Sequence, residues 1–154
     1  MTVAKTGPHA ATEPDRVWFR FMRLHQRMLM QMTARIRKLG LSIPQFDLLS
    51  TLTEQEGISQ SELAERLYVT KGNVSGLVDR LVQAGLVERR AIAGDRRSYA
   101  MHLTPEGRRL AEAGIASQRD FVASTLGKLE SGDLAELDRL VLLWRDLARA
   151  IETE

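Results

Sequence analysis

The chain of 154 residues contains no cysteine. That excludes disulfide staples, thiolate metal sites, a cysteine nucleophile and a thiol redox switch. Aromatic residues are scarce, at 5%. The longest unbroken apolar run, Leu140 to Trp144, is five residues, far short of the ~20 that a membrane-spanning helix needs. The first fourteen residues lack the apolar stretch of a secretory signal. What remains is 44% hydrophobic and 27% charged, a globular composition. The expectation is a soluble, cytoplasmic chain without a membrane segment and with a disordered tail over residues 1–14.

The small net charge of +2 hides an asymmetry. Residues 1–60 carry +3, residues 61–109 carry +3 and residues 110–154 carry −4. Such separation suggests an anionic partner for the front of the chain and a different task for its end. Solvated helices also give this pattern, so charge alone decides nothing.

Glycines and caps divide the chain. Gly40 and Gly85 each follow a periodic run and precede an apolar residue, the form of a Schellman helix stop. Gly57 is read the same way. Ser59 and Glu62 fit a capping box. Thr104 precedes Pro105 and Glu106, a cap before a proline at the first helical position. Thr70 precedes a further run, and Ser131 is expected to cap the last one. Six helices follow, over 15–39, 44–55, 60–67, 71–84, 105–127 and 132–152. Residues 86–90 and 98–103 read instead as two short strands, because Tyr99, Met101 and Leu103 alternate with Ser98, Ala100 and His102. Ala93-Gly94-Asp95 is the expected turn between them.

The first and last helices are apolar on more than one face, which implies burial on more than one side. A chain of this size has little core for both. They are therefore expected to pack against a second copy, through Val17, Leu24, Leu137, Leu140, Trp144, Leu147 and Ile151.

The centre reads as helix, three-residue turn, helix, glycine stop and hairpin: a helix-turn-helix with a wing. Leu63, Ala64 and Leu67 face inward from the first of these helices. Val74, Leu77, Val78 and Leu81 do so from the second. That leaves Lys71, Gly72, Asn73, Ser75, Gly76, Asp79 and Arg80 outward. Lys71 can donate to phosphate or guanine, Asn73 can pair with an adenine edge, and Ser75 can do either. Gly72 and Gly76 each cost roughly 1 kcal/mol in a helix, a loss that close approach to a partner would offset. The hairpin holds Arg89, Arg90, Arg96 and Arg97. Arginine on a narrow hairpin suits the minor groove, and Asp95 is placed to orient a neighbouring guanidinium. Ser59, Ser61 and Thr70 complete the DNA-binding set.

These residues resemble those of the MarR family of bacterial winged-helix regulators. The matching stretches are Ile43-Pro44-Gln45-Phe46-Asp47-Leu48-Leu49, Ser61-Glu62-Leu63-Ala64-Glu65-Arg66-Leu67, Leu77 to Arg89, Asp95-Arg96-Arg97 and Leu103-Thr104-Pro105-Glu106-Gly107. The resemblance implies a mainly α fold with a small β-wing, in which a winged helix-turn-helix (41–104) is flanked by N- and C-terminal dimerisation helices (15–40 and 105–154). It implies a homodimer on double-stranded DNA at a pseudo-palindromic operator. Thr70 to Gln83 match the recognition helix and Arg97 matches the minor-groove arginine. Many members are repressors released by a small phenolic or anionic effector.

For such an effector the residues offer Trp18, Phe21, His25 and Met28 with Phe46 and Leu49, and Phe121 beside them; Arg20, Arg23 and Arg27 could hold an anion, but fit a solvated or DNA-facing side of the helix better. A helical stripe of this kind is more often core, and a lone histidine on it is more often a hydrogen-bonded core residue. His9, His25 and His102 share no ligand spacing, so no metal and no cofactor is expected. No nucleophile elbow, P-loop, zinc-protease or dinucleotide motif is present, so no enzymatic activity is expected. The alternatives kept open are a non-specific architectural DNA-binding protein, a ligand-independent regulator and a winged helix used only for protein contact.

Overall fold

The computed structural model describes residues 12–67 and 71–152. Helix α1 (Pro14–Arg37) opens with proline in its first turn, where the missing N–H has no helical partner to lose. It ends as the sequence predicts. Gly40 adopts φ +77, its N–H donates to Arg37 O, and the Leu41 N–H reaches back to Ile36 O, the paired bonds of a Schellman stop. Helix α2 (Ile43–Glu54) starts on a capping box absent from the sequence reading. Ser42 Oγ accepts from the Gln45 N–H, and Gln45 Oε1 accepts from the Ser42 N–H.

Two corrections follow. Gly57 has a positive φ of 79, but it does not close α2 in the Schellman manner. Its N–H donates to Met101 O at 2.8 Å and leads into a two-residue strand, β1 (Ile58–Ser59). That strand was not read from the sequence. It pairs antiparallel with β3, Ile58 opposite Met101.

Helix α3 (Gln60–Leu67) begins on the expected capping box, with the Ser59 N–H donating to Glu62 Oε2 at 2.7 Å. Helix α4 (Lys71–Gln83) stops at Gly85 with the second Schellman pair, Leu86 N–H to Leu81 O and Gly85 N–H to Val82 O. Strands β2 (Val87–Ile92) and β3 (Asp95–Leu103) then form the wing. The sheet order is β1-β3-β2. Asp95 opens β3 opposite Ile92, so the wing turn is Ala93-Gly94, shorter than expected.

Helix α5 (Pro105–Ser124) ends three residues before the expected boundary. Thr125 Oγ1 donates to Phe121 O at 2.9 Å, a local bond that competes with helix continuation, and a 3-10 turn (Leu126–Lys128) follows. Helix α6 (Ser131–Ile151) starts at Ser131 instead of being capped by it. Glu130 holds the cap position and makes no side-chain cap bond.

The core lies under the helix-turn-helix. Leu48, Leu49, Leu52, Leu63, Val74, Val78, Leu81 and Met101 are fully buried, each worth roughly 1.5–3 kcal/mol of transfer free energy. The inward faces expected for α3 and α4 are the ones observed, with Leu67 and Leu77 partly buried against the cluster. Helix α1 contributes Ile36 and α5 contributes Ala111, while α6 buries no residue. The winged helix, with α5 against it, is thus packed within one chain, while the first half of α1 and all of α6 are left exposed.

Candidate nucleic-acid interface

Burying Val74, Val78 and Leu81 fixes which side of α4 is left outside. Gly72, Asn73, Asp79 and Arg80 are exposed, and Ser75 and Gly76 are half-exposed. A side chain added at Gly72 or Gly76 would meet no atom within 4 Å. Neither glycine is therefore needed for packing inside the chain, which agrees with close approach to an outside partner. Thr70 lies outside the described residues, as does the side chain of Lys71, whose backbone opens α4.

The wing brings three members of the expected set together. Ser59, Ser61 and Arg97 line one cleft of 170 Å³ with Gln60, Ser98 and Tyr99. It lies where the start of α3 meets the wing. Ser59 Oγ accepts from the Glu62 N–H at 3.2 Å, which leaves its own proton to donate outward. Tyr99, 46% exposed on the wing, was not singled out from the sequence.

Asp95 does something other than orient a guanidinium. Its Oδ1 accepts from the backbone N–H of Arg97 at 3.0 Å. That bond, with one from Ser98, holds the carboxyl below the usual carboxylate range. Asp95 shapes the wing turn that carries Arg96 and Arg97, both exposed. Arg89 and Arg90 separate from that pair. Arg90 pairs with Glu88 on its own strand. Arg89 binds Asp79 on α4 through NH2, and its Nε donates to Gln60 on α3 at 3.2 Å. The ten-residue spacing of Asp79 and Arg89 gives no hint of this contact.

A second feature is a groove of 690 Å³ between α1, the end of α5 and α6. Phe21, His25 and Met28 lie on it, as does Phe121. Phe21 stacks on His25, and its ring meets that of Trp144 edge-on at 4.7 Å. Trp18 stands beside the groove, 6.2 Å from Trp144. Phe46 and Leu49 are not part of it, a correction to the expected pocket. They are buried in the winged-helix core, where Phe46 packs against Gly114 so closely that a Cβ there would come within 2.5 Å of its ring. Apolar character alone did not separate core from groove. The seven residues expected at a dimer interface are all exposed, from Leu137 and Trp144 at 38% to Ile151 at 75%. Among the described residues no group of three or more His, Asp or Glu is placed to hold a metal ion, and no helix is long and apolar enough to cross a membrane.

A sequence profile described as MarR family matches residues 39–98. An HTH-type transcriptional repressor of Mycobacterium tuberculosis is 32% identical over 111 residues, covering 72% of this chain and 80% of the relative. The crystal structure of a MarR family transcription regulator superposes with a TM-score of 0.83 at 20% identity, covering 91% of this chain and 95% of the other. The Staphylococcus aureus MepR–DNA complex gives a TM-score of 0.77 at 21% identity, over 84% and 96%. The Streptomyces coelicolor regulator PcaV, in complex with its natural ligand, gives 0.68 at 22% identity, over 94% and 99%.

Proposed function

The chain belongs to the MarR family, whose members are non-enzymatic DNA-binding transcriptional regulators, and from that premise we propose that it is a dimeric cytoplasmic repressor. It binds a pseudo-palindromic duplex operator and is released by a small phenolic or anionic effector. Residues 41–104 read the DNA, and residues 15–40 and 105–154 join two copies. The observation that carries this reading is the coexistence of two uncovered surfaces on one chain. One is polar and basic, made by α4 and the wing. The other is apolar, made by α1 and α6.

Each surface has a role in the mechanism. The exposed side of α4, with Asn73, Ser75 and Arg80, enters the major groove, where each base pair presents a distinct donor and acceptor pattern, and Lys71 is the first residue of that helix. Gly72 and Gly76 let the helix backbone come close. Arg96 and Arg97 reach the adjacent minor groove from the wing tip. Ser59 and Ser61 donate to the phosphate between them. The twofold axis of the dimer sets two α4 helices about 34–36 Å apart, one DNA turn. An effector in the groove acts only if it binds the DNA-released arrangement more tightly than the DNA-bound one. The MepR complex with DNA and the PcaV complex with its ligand support both halves by likeness of fold.

Selection on a randomised duplex library across a salt series tests the reading. An enriched pseudo-palindrome is expected, with half-sites one turn apart and a log–log salt slope of about 0.9 per phosphate neutralised. Arg97→Ala should weaken binding and relax preference for A·T-rich flanks. Retention without enrichment would replace this reading with an architectural one, and no retention at low salt would leave a fold used for protein contact. Loss of the enriched duplex on adding aromatic carboxylates identifies the effector class. A dimer blind to all of them is a ligand-independent regulator.

A further inference from the structure

The winged helix holds one histidine, His102 near the end of β3, and neither surface of the proposed function uses it. Its Nδ1 lies 3.4 Å from Glu56 Oε2. Its ring lies over Gly57, where a Cβ would stand 3.5 Å from Cε1, and the Gly57 N–H donates to Met101 O beside it. Glu56 stands in the short link between α2 and β1. Its other oxygen, Oε1, accepts from the guanidinium of Arg108 on α5. One carboxylate therefore spans from a wing strand to a helix, with both partners distant in sequence. Local pairing does not produce this. On α5 the neighbouring Arg109 takes the nearby Glu106, while Arg108 reaches across to the link.

The other charges around His102 are matched. Glu88 lies opposite it on β2 and is paired with Arg90. Strand β1, Ile58–Ser59, offers no ionisable side chain. Helix α5 offers Arg108, and the pair of Arg109 with Glu106. With the imidazole neutral, Glu56 and Glu88 are thus balanced by Arg108 and Arg90. Histidine is the side chain that changes charge between about pH 5 and 8. A proton on His102 makes its contact with Glu56 a charge-assisted bond, roughly twice as strong as a neutral one. Arg108 does not displace it, because each cation holds a different oxygen. His102 is 19% exposed and Glu56 32%, so the pair adds little to stability. What it fixes is position. Strand β3 carries Arg96 and Arg97 at its far end, and α5 runs on to Phe121 in the apolar groove.

We infer that Glu56 is a positioning residue for DNA binding: it holds the root of the wing, through His102, against α5, through Arg108, and the His102 half of this hold tightens on protonation. The inference rests on the wing meeting DNA, as in the proposed function, and needs neither the effector nor the dimer. DNA that orders the wing also orders the contact. Complex formation then takes up a proton at His102, and binding strengthens as pH falls.

The test is fluorescence anisotropy of the full chain on its selected duplex, from about pH 5.5 to 8, where histidine titrates, at fixed ionic strength. Wild-type affinity is expected to rise about threefold per protomer as pH falls across that range, within the limit of tenfold per pH unit for one proton. His102→Gln is expected to match the wild type at the alkaline end and to lose the rise. Glu56→Gln is expected to bind more weakly and to lose the rise as well, although His102 still takes its proton there. Arg108→Gln is expected to bind more weakly throughout and to keep the rise. Melting temperatures close to that of the wild type show that all three variants are folded. A rise that persists in Glu56→Gln means that the charge on His102 acts on DNA directly, and overturns the positioning role. A rise that persists in His102→Gln places the titrating group elsewhere and overturns it too, as does wild-type binding that ignores pH. A chain that retains no duplex at any pH fails the proposed function itself, before any variant is made, and takes this inference with it.

Discussion

Arg89 stands on the wing, but its guanidinium is turned inward. It binds Asp79 of α4 and Gln60 of α3, so one side chain joins three elements. A planar fork with donors on two sides suits such a junction, and a lysine does not. The pair is partly exposed, with Arg89 at 26% and Asp79 at 54%, so its direct contribution to stability is small. Its consequence is positional: it fixes the angle between α4 and the wing, and so the spacing of the two sets of groups offered to DNA. Removing it leaves that angle to be ordered during binding. Arg89→Gln and Asp79→Asn are each expected to weaken operator binding by about tenfold, or 1.4 kcal/mol, with little change in melting temperature. Combined, they should do no more than the stronger of the two, because both act through one contact. Fluorescence anisotropy on the selected operator reads the cycle. Fully additive losses would place Arg89 on the DNA itself.

At the scale of elements, the start of α5 is where the wing is seated. Thr104 Oγ1 accepts from the Gly107 N–H at 3.0 Å and donates to Gly85 O at 2.6 Å. Its backbone N–H donates to Leu86 O. One threonine thus caps α5 and holds the corner between α4 and β2. Gly107 touches the same corner, and a Cβ there would stand 1.9 Å from Leu86 O. Alanine is the better helix former by about 1 kcal/mol, but backbone cannot yield as a side-chain tip can. Gly107→Ala is expected to destabilise the chain by about 2–3 kcal/mol, read as a lower urea midpoint at unchanged slope; a neutral or stabilising result would mean that the corner moves freely. Thr104 was legible as a cap because its cue is local. The same holds for the Schellman stops, the capping box at Ser59 and the apolar faces of α3 and α4. What could not be read depends on distant partners. Strand β1 is two residues long and exists because β3 lies beside it. Phe46 and Leu49 share the apolar character of the groove residues, yet packing against α5 sends them to the core. Asp95 sits among arginines in sequence, but the backbone N–H of Arg97 is its partner.

The whole molecule is divided by where its core ends. The winged helix encloses a continuous cluster drawn from α2, α3, α4 and the sheet. Helix α6, by contrast, buries none of its residues, and the first half of α1 is exposed throughout. A 21-residue helix with Leu147 at 61% and Ile151 at 75% exposure leaves apolar surface in water, and isolated helices are only marginally stable there. In the proposed dimer these helices complete a second core, shared between two chains, and folding becomes coupled to association. Unfolding of a two-chain unit shifts with concentration by mass action. Each tenfold rise in concentration adds about 1.4 kcal/mol. Set against the unfolding entropy of roughly 300 residues, that raises the melting temperature by about 2 °C. Calorimetry over a hundredfold range should therefore show a rise of about 4 °C. Trp144→Ala should lower the midpoint by removing the ring that Trp18 and Phe21 share, while α4 keeps its own packing in the winged-helix core. A midpoint independent of concentration would mean that α1 and α6 hold together within one chain, and that the two apolar faces are left to some other partner.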